Sequence, residues 1–301
     1  MAGANPTKAI LYALAANGAI AISKYVAAFI TSSGSMLAEA VHSTADCGNQ
    51  LLLLLGLKQA KRPPSPDYPL GYGKETYFWS FIVALMLFSI GGLFSIYEGW
   101  HKLHEPEPLS YPLLALGVLA FGIVAEAFSM WGCLVEVNKS RGEQSLWQWF
   151  RQSRNSELVV IFGEDLAALL GLMLAFVAVT LAWVTGNPMW DALGSIGIGV
   201  LLIIIAILIG IEVKAMLIGQ GVEEREKAKM LAVLQQHPAV EQIYNLLSLQ
   251  LGSDVMVAIK ARLKPQGSEQ QLIASINDIE KQFKQAFPNV MWLFFEPDIA
   301  D

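Results

Sequence analysis

The sequence predicts an α-helical membrane protein, with a six-helix transmembrane bundle over residues 1–219 and a cytoplasmic α+β domain over residues 220–301. Of the 301 residues, 54% are hydrophobic and 15% are charged, and the mean hydropathy is +0.46. That composition is too apolar for an ordinary soluble protein. After Gly219 the chain becomes charged and amphipathic, which indicates a separate domain outside the bilayer.

Six apolar runs approach the length of about 20 residues that a helix needs to cross the hydrocarbon core of a lipid bilayer. In chain order they are residues 9–30, 36–57, 78–100, 112–134, 158–184 and 192–211. We predict one transmembrane helix for each run.

Lysine and arginine residues indicate which loops face the cytoplasm. They are concentrated in the loops that follow the second and fourth predicted helices, at Lys58, Lys61, Arg62, Lys74, Lys139, Arg141, Arg151 and Arg154, whereas the opposite loops offer only Lys102. We therefore expect both termini in the cytoplasm. Residues 1–8 show neither a signal-peptide pattern nor an arginine-rich transit pattern, which favours a bacterial inner membrane.

The C-terminal segment alternates between helical and strand-like patterns. Residues 222–237 form a charged amphipathic pattern, residues 240–263 alternate around Gly252 and Ser253, residues 268–287 predict a second helix, and residues 290–295 predict a closing strand. This order is typical of a small α+β domain whose sheet packs on two helices. Its mixed charges include no basic stripe, so nucleic acid is not an expected partner.

The second predicted helix carries a polar stripe. Glu39, His42 and Asp46 are spaced three and four residues apart, so they share one helix face, which Asn49 and Gln50 continue. Such a stripe must face a bundle interior or a water-filled cavity, because charge facing lipid is costly. His and Asp one turn apart can both reach one cation. The alternative is a buried histidine satisfied by a hydrogen bond to Asp46.

The fifth predicted helix adds the adjacent acids Glu164 and Asp165, which point about 100° apart. We expect one of them to be a metal ligand and the other to be its neighbour. Oxygen and nitrogen donors from two helices suit a divalent first-row metal, with Zn, Mn or Fe favoured over soft copper. The alternative is a structural ion pair between Glu164 and Lys24.

Two stretches resemble a known family. Residues 35–46, followed by Asn49 and Gln50, are similar to the second helix of the cation diffusion facilitator family, metal/proton antiporters of the zinc transporter type. Residues 68–75 resemble the family's His-Pro-Phe-Gly-Tyr-Gly signature, except that Tyr68 stands where a histidine is usual. The helix number, the basic loops and the C-terminal domain match in order, so the resemblance covers essentially the whole chain.

The resemblance implies a set of metal ligands. His42 and Asp46 match the family's motif on the second helix, whereas on the fifth helix Asp165 matches the aspartate and Ile161 stands where the family has a histidine. Glu164 and the residues after it resemble a divergent, ZnT9-like branch in which glutamate replaces the missing donor. We expect His42, Asp46 and Asp165 as ligands, with Glu164 as fourth ligand or proton carrier. The transported cation is then zinc (Zn²⁺), with Mn²⁺ or Fe²⁺ as alternatives because of the extra carboxylate.

The resemblance also implies a mechanism and a partner. Metal taken from the cytoplasm is exchanged for protons by alternating access, which needs no covalent chemistry, so we expect no enzyme. Protons compete with the metal because its ligands bind it only when deprotonated. The C-terminal domain resembles the family's ferredoxin-like dimerisation module, and a homodimer is expected from its apolar residues, Leu246, Leu249, Leu251, Trp292 and Phe294.

Two alternatives to metal/proton antiport remain at this point. Because the helix-five histidine is missing, the chain can also be read as a transport-inactive metal-sensing or scaffolding subunit. A proton-coupled carrier of another solute is a weaker alternative. For Glu126, in the middle of the fourth predicted helix, we expect pairing with Lys24 or with a buried serine rather than a role in transport.

Overall fold

The computed structural model describes residues 5–31, 34–105 and 111–300, apart from the side chains of residues 28, 31, 34–42 and 45. The chain forms two compact units. The helical unit comprises Met1–Leu57, Tyr77–Arg151 and Asn155–Lys214, and the C-terminal unit comprises Lys58–Thr76, Gln152–Arg154 and Ala215–Asp301. Because the C-terminal unit includes two loops between helices, the units do not divide the chain at one point, and the predicted boundary after residue 219 stays a prediction.

The helical unit contains a long helical stretch at each of the six predicted positions. The elements are α1 (Pro6–Thr31), α2 (Gly34–Ala60), α3 (Glu75–Met86), a π-helical stretch (Leu87–Leu93), α4 (Phe94–His104), α5 (Pro112–Arg141), the short α6 (Leu146–Gln152), α7 (Ser156–Thr185) and α8 (Met189–Ile218). The predicted third helix is therefore a continuous run of α3, the π stretch and α4. Each helix extends beyond its predicted apolar run at one end or both.

Five of these stretches are long and apolar enough to cross a membrane, within the residues described. They are Pro6–Ala27, Glu75–His104, Pro112–Arg141, Ser156–Thr185 and Met189–Ile218. The sixth predicted span coincides with α2, whose side chains are largely undescribed over its first half. The fold class is thus confirmed as a membrane helix bundle with a small C-terminal sheet domain.

The π-helical stretch contains Gly91 and Gly92, where the third span lies close to α8. A Cβ atom added at Gly199 of α8 would lie 2.6 Å from the backbone oxygen of Gly92, and one added at Gly99 would lie 2.7 Å from the oxygen of Ala192. Small residues of this kind allow two membrane helices to pack backbone against backbone. The glycines therefore explain the close packing and favour the wider π turn, since glycine is a weak α-helix former.

In the C-terminal unit, α9 (Glu224–Gln236) and α10 (Glu269–Ala286) cover one face of a three-stranded sheet of β1 (Val240–Leu251), β2 (Asp254–Leu263) and β3 (Val290–Pro297). The strand order is β1-β2-β3, with β1 antiparallel and β3 parallel to β2. The predicted order of two helices and three strands is confirmed, including the turn at Gly252, whose φ of +68° suits glycine. Ser268 caps α10 by accepting a hydrogen bond from the Gln271 amide.

One face of this sheet is packed, and the other, called the open face here, is exposed over part of its area. Leu246, Ile259 and Phe295 form a cross-strand row on the packed face, where Leu246 and Ile259 belong to the hydrophobic core. On the open face, Leu247, Ala258 and Phe294 form a row in which Leu247 is 61% and Phe294 56% exposed. The prediction that Leu246 and Leu251 supply apolar surface for a partner is wrong, because both are buried within the domain.

The close packing at Gly199 leads to a stability prediction. The Gly199→Ala variant should unfold at a lower temperature in detergent, because its Cβ atom meets a backbone oxygen that cannot move without displacing a helix. The matched control is Gly210→Ala on the same helix, where the added Cβ has no neighbour within 4 Å. That variant should be neutral or more stable by up to about 1 kcal/mol, since alanine is the better helix former. Equal melting temperatures for the two variants would contradict the proposed packing.

Candidate metal site

Asp165 lies about a third of the way along α7 and is 1% exposed. The helix begins where Asn155 accepts a hydrogen bond from the Leu158 amide, and its apolar residues extend on both sides of Asp165. The hydroxyl of Ser129, on the neighbouring α5, donates a hydrogen bond of 2.9 Å to Oδ2 of Asp165. A carboxylate at this depth needs compensation, and a single hydroxyl supplies only one of the hydrogen bonds that it can accept.

Glu164 is held by side-chain amides from α2. Nδ2 of Asn49 donates to Oε1 at 2.9 Å, and Nε2 of Gln50 donates to Oε2 at 3.1 Å. Asn17 of α1 in turn donates to Oε1 of Gln50 at 3.3 Å. A hydrogen-bonded chain therefore joins α1, α2 and α7 inside the bundle. The alternative expectation for Glu164 was an ion pair with Lys24. Its carboxylate instead accepts hydrogen bonds from the side-chain amides of Asn49 and Gln50.

Asp46 of α2 is half-buried, and its negative charge acts on the carboxylate of Glu164. The negative charges that act on Glu164 are those of Asp46, Asp165 and Glu126, so carboxylates from α2, α5 and α7 converge in one region. His42 is on α2 one turn before Asp46, but its side chain lies outside the described residues. Among the predicted ligands, Asp46 and Asp165 thus lie near enough to Glu164 for their charges to act on it.

The converging side chains do not form a finished coordination shell. Within the described part of the chain, no three His, Cys, Asp or Glu side chains are grouped closely enough to hold a metal ion. One acceptor in the region lacks a partner: Oδ1 of Asn49 is buried and accepts no hydrogen bond. Amide and carboxylate oxygens suit hard and borderline divalent cations, so the described donors fit a cation bound by oxygen atoms.

Asn49 and Gln50 are the site residues whose role the sequence did not identify. They continued the polar stripe of α2, but the stripe alone did not indicate that their amides bind Glu164. Glu126 also differs from expectation. It forms neither the expected ion pair with Lys24 nor a hydrogen bond to a serine in the described residues, and the nearby Ser129 hydroxyl donates to Asp165 instead.

Residues 10–218 match the family model described as the cation efflux transmembrane domain. Over 280 residues the chain is 34% identical to the mitochondrial proton-coupled zinc antiporter SLC30A9 of Xenopus laevis, covering 92% of this chain and 49% of the relative. It is 32% identical over 283 residues to SLC30A9 of Homo sapiens, covering 92% and 48%. It is 24% identical over 285 residues to the cation-efflux pump FieF of Klebsiella pneumoniae (strain 342), covering 94% and 89%.

The chain spans about half the length of the SLC30A9 relatives, and most of the length of the bacterial relative. The similarity thus includes both the helical unit and the C-terminal domain. The mitochondrial zinc antiporters are the relatives that support the expected resemblance to the ZnT9-like branch.

The amide support of Glu164 leads to a prediction. Gln50→Leu should lower the free energy of unfolding by about 1–3 kcal/mol, because it leaves a buried carboxylate with one donor fewer. The measurement is thermal unfolding in detergent without added metal. The control is Gln59→Leu on the same helix, whose side chain makes no hydrogen bond within the described residues. If Gln50→Leu were as stable as the Gln59 control, the hydrogen bond to Glu164 would not contribute to the free energy of unfolding.

Proposed function

We propose a function from the premise that this chain belongs to the cation efflux family, also called the cation diffusion facilitator family, and is a multi-pass integral membrane protein. In our proposal it exports a divalent metal cation by proton antiport, with zinc as the main cargo. The observation that carries the proposal is the convergence of carboxylates from α2 and α7 inside a membrane bundle. Acidic groups at this depth are expensive unless they bind something positive.

The proposed ligands are His42, Asp46 and Asp165, with Glu164 as fourth ligand or proton carrier. Asp165 accepts one hydrogen bond, and each Glu164 oxygen accepts one, so both carboxylates keep acceptor sites for a cation. The amides of Asn49 and Gln50 would orient Glu164, as outer partners orient ligands in other metal sites. Bound metal would draw the two helices together at this level.

Proton coupling follows from the chemistry of these ligands. Carboxylates and imidazole bind metal only in their deprotonated forms, so metal and protons compete for the same atoms. Protons arriving from the outer side would displace the metal there, and their release on the cytoplasmic side would restore the empty site. This exchange forms no covalent bond, which supports a transporter and not an enzyme.

Zinc is proposed because two relatives are named as zinc antiporters, and because imidazole with carboxylates suits it. Mn²⁺ or Fe²⁺ is the alternative cargo, since each added carboxylate makes the site harder. For orientation, we propose that the basic loops and both termini face the cytoplasm. The bacterial inner membrane stays a prediction.

The first test is metal uptake into proteoliposomes that hold a pH gradient, with Zn²⁺, Mn²⁺ and Fe²⁺ in parallel. Asp165→Asn should reduce uptake by at least about tenfold, because it removes a charged ligand. Glu157→Gln is the matched control: this residue is also a buried acid of α7, two turns away, and its carboxylate accepts a hydrogen bond from Ser156. The control should keep its uptake.

The outcomes separate the alternatives. Uptake that needs the gradient and depends on Asp165 supports the antiporter, and the preferred metal follows from the comparison. If the intact protein moves none of the three metals, the sensing or scaffolding function is favoured, for which the Ile161 substitution at the usual histidine position is the motivating feature. Uptake of another solute that is unaffected by added metal would favour a proton-coupled carrier of that solute.

We also propose that the protein is a homodimer that associates through the open face of its C-terminal sheet. Two neighbouring rows on that face are apolar: Leu247, Ala258 and Phe294 in one, and Leu249, Met256 and Trp292 in the other. Leu247 and Phe294 are more than half exposed. A small domain with such a face gains from covering it with a second copy.

The dimer leads to a prediction for Leu247 and Phe294. The double variant Leu247→Asp, Phe294→Asp should shift the molar mass of the full chain in detergent from dimer to monomer, as measured by light scattering, because it puts charges into the apolar face. Ile273→Asp is the control, since Ile273 is an equally exposed apolar residue on α10, away from the sheet. A monomeric wild-type protein would rule out the dimer.

A further inference from the structure

Among the residues that the structure describes, the helical unit buries six acidic side chains, and five of them have an identified partner. Glu136 pairs with Lys139, Glu212 pairs with Arg151, and Glu157 accepts from Ser156. Glu164 accepts from two amides and Asp165 accepts from Ser129. The sixth is Glu126 of α5, which is 3% exposed and has no hydrogen-bond or ion-pair partner in the described part of the chain.

Glu126 belongs to a buried polar stripe on α5. Ser129, Cys133 and Glu136 follow it at helical spacing, and all four residues are at most 3% exposed. Since Ser129 donates to Asp165, this stripe faces α7 at the level of the candidate site. Glu126 is one turn from Ser129 on the same face, so its carboxylate is directed to the same region of the bundle.

Most of the charges that act on Glu126 are negative, so its carboxylate lacks a compensating cation. Those that act on it are the negative charges of Asp165 and Asp46 and the positive charge of Lys24, which forms no ion pair with it among the described residues. Glu126 in turn contributes to the negative charge around Glu164. A buried carboxylate surrounded by other carboxylates is strongly disfavoured unless it takes up a proton or shares a cation with them. The transported cation is therefore one of the two species that would relieve this repulsion.

We propose that Glu126 of α5 is a third-helix carboxylate that binds the transported divalent cation together with the acidic residues of α2 and α7. This inference rests on the proposed function and extends it to a helix that the two-helix ligand set does not include. A further oxygen donor makes the site harder, so Glu126 would favour Mn²⁺ or Fe²⁺ relative to Zn²⁺. It is thus a residue that sets metal preference as well as affinity.

The experiment measures equilibrium binding of Zn²⁺ and Mn²⁺ to the purified full-length protein in detergent, together with thermal unfolding without metal. The variants are Glu126→Gln, which removes the charge, and Glu126→Asp, which keeps it. The control is Glu136→Gln, a buried acid on the same helix about 15 Å further along its axis and paired with Lys139.

Glu126→Gln should weaken metal binding by about tenfold to a hundredfold, and the loss should be larger for Mn²⁺ than for Zn²⁺. Its melting temperature without metal should be equal to or higher than that of the wild type, because an unpartnered buried charge has been removed. Glu126→Asp should retain part of the affinity, and Glu136→Gln should bind both metals as the wild type does.

Two results would overturn the inference and can be told apart. If the wild type binds metal and Glu126→Gln binds both ions with unchanged affinity and preference, Glu126 has no role as a ligand while the proposed function stands. If Glu126→Gln binds weakly but Glu126→Asp binds no better and both melt well below the wild type, Glu126 is a structural acid. If the wild type binds no metal at all, the proposed function itself fails.

Discussion

The requirement that buried carboxylates be compensated inside the bilayer governs the arrangement of the helical unit. Lipid offers no hydrogen bonds, so each acid within the bundle must be compensated there by hydrogen-bond donors, a cation or a proton. Asn17, Gln50 and Glu164 satisfy this requirement through a hydrogen-bonded chain that crosses from α1 through α2 to α7. The same bonds fix the mutual position of these helices, so the electrostatic constraint is also a packing constraint.

Most of the fold followed from the sequence because it depends on patterns that are local. Apolar runs of membrane-spanning length predicted the long helices, and the Gly252 turn between alternating segments predicted the hairpin. The π-helical stretch was not predicted; it contains Gly92, which lies against Gly199 of another helix, and a contact between helices is not encoded in a local pattern. For the same reason the sequence did not separate Leu246, which faces the core, from Leu247, which faces outwards.

The candidate site was predictable in part. Spacing along one helix identified Asp46, and the acidic pair at Glu164 and Asp165 was conspicuous in an apolar run. Which donor serves which acid depends on the rotation of α2 and α5 against α7, and no local pattern encodes that rotation. The pairing of Glu164 with two amides, and the donation of Ser129 to Asp165 and not to Glu126, therefore became visible only in the structure.

The three central acids differ in how far the protein itself satisfies them. Glu164 accepts two amide hydrogen bonds, Asp165 accepts one hydroxyl, and Glu126 accepts none from the described residues. The fewer donors a buried carboxylate has, the more it gains from an arriving cation or proton. Glu164 is thus the acid best suited to hold the helices in position when the site is empty, whereas Asp165 and Glu126 gain most when it is filled. The proposed metal/proton antiport needs both kinds, because the metal-free form must be stable enough to return with protons in place of the metal.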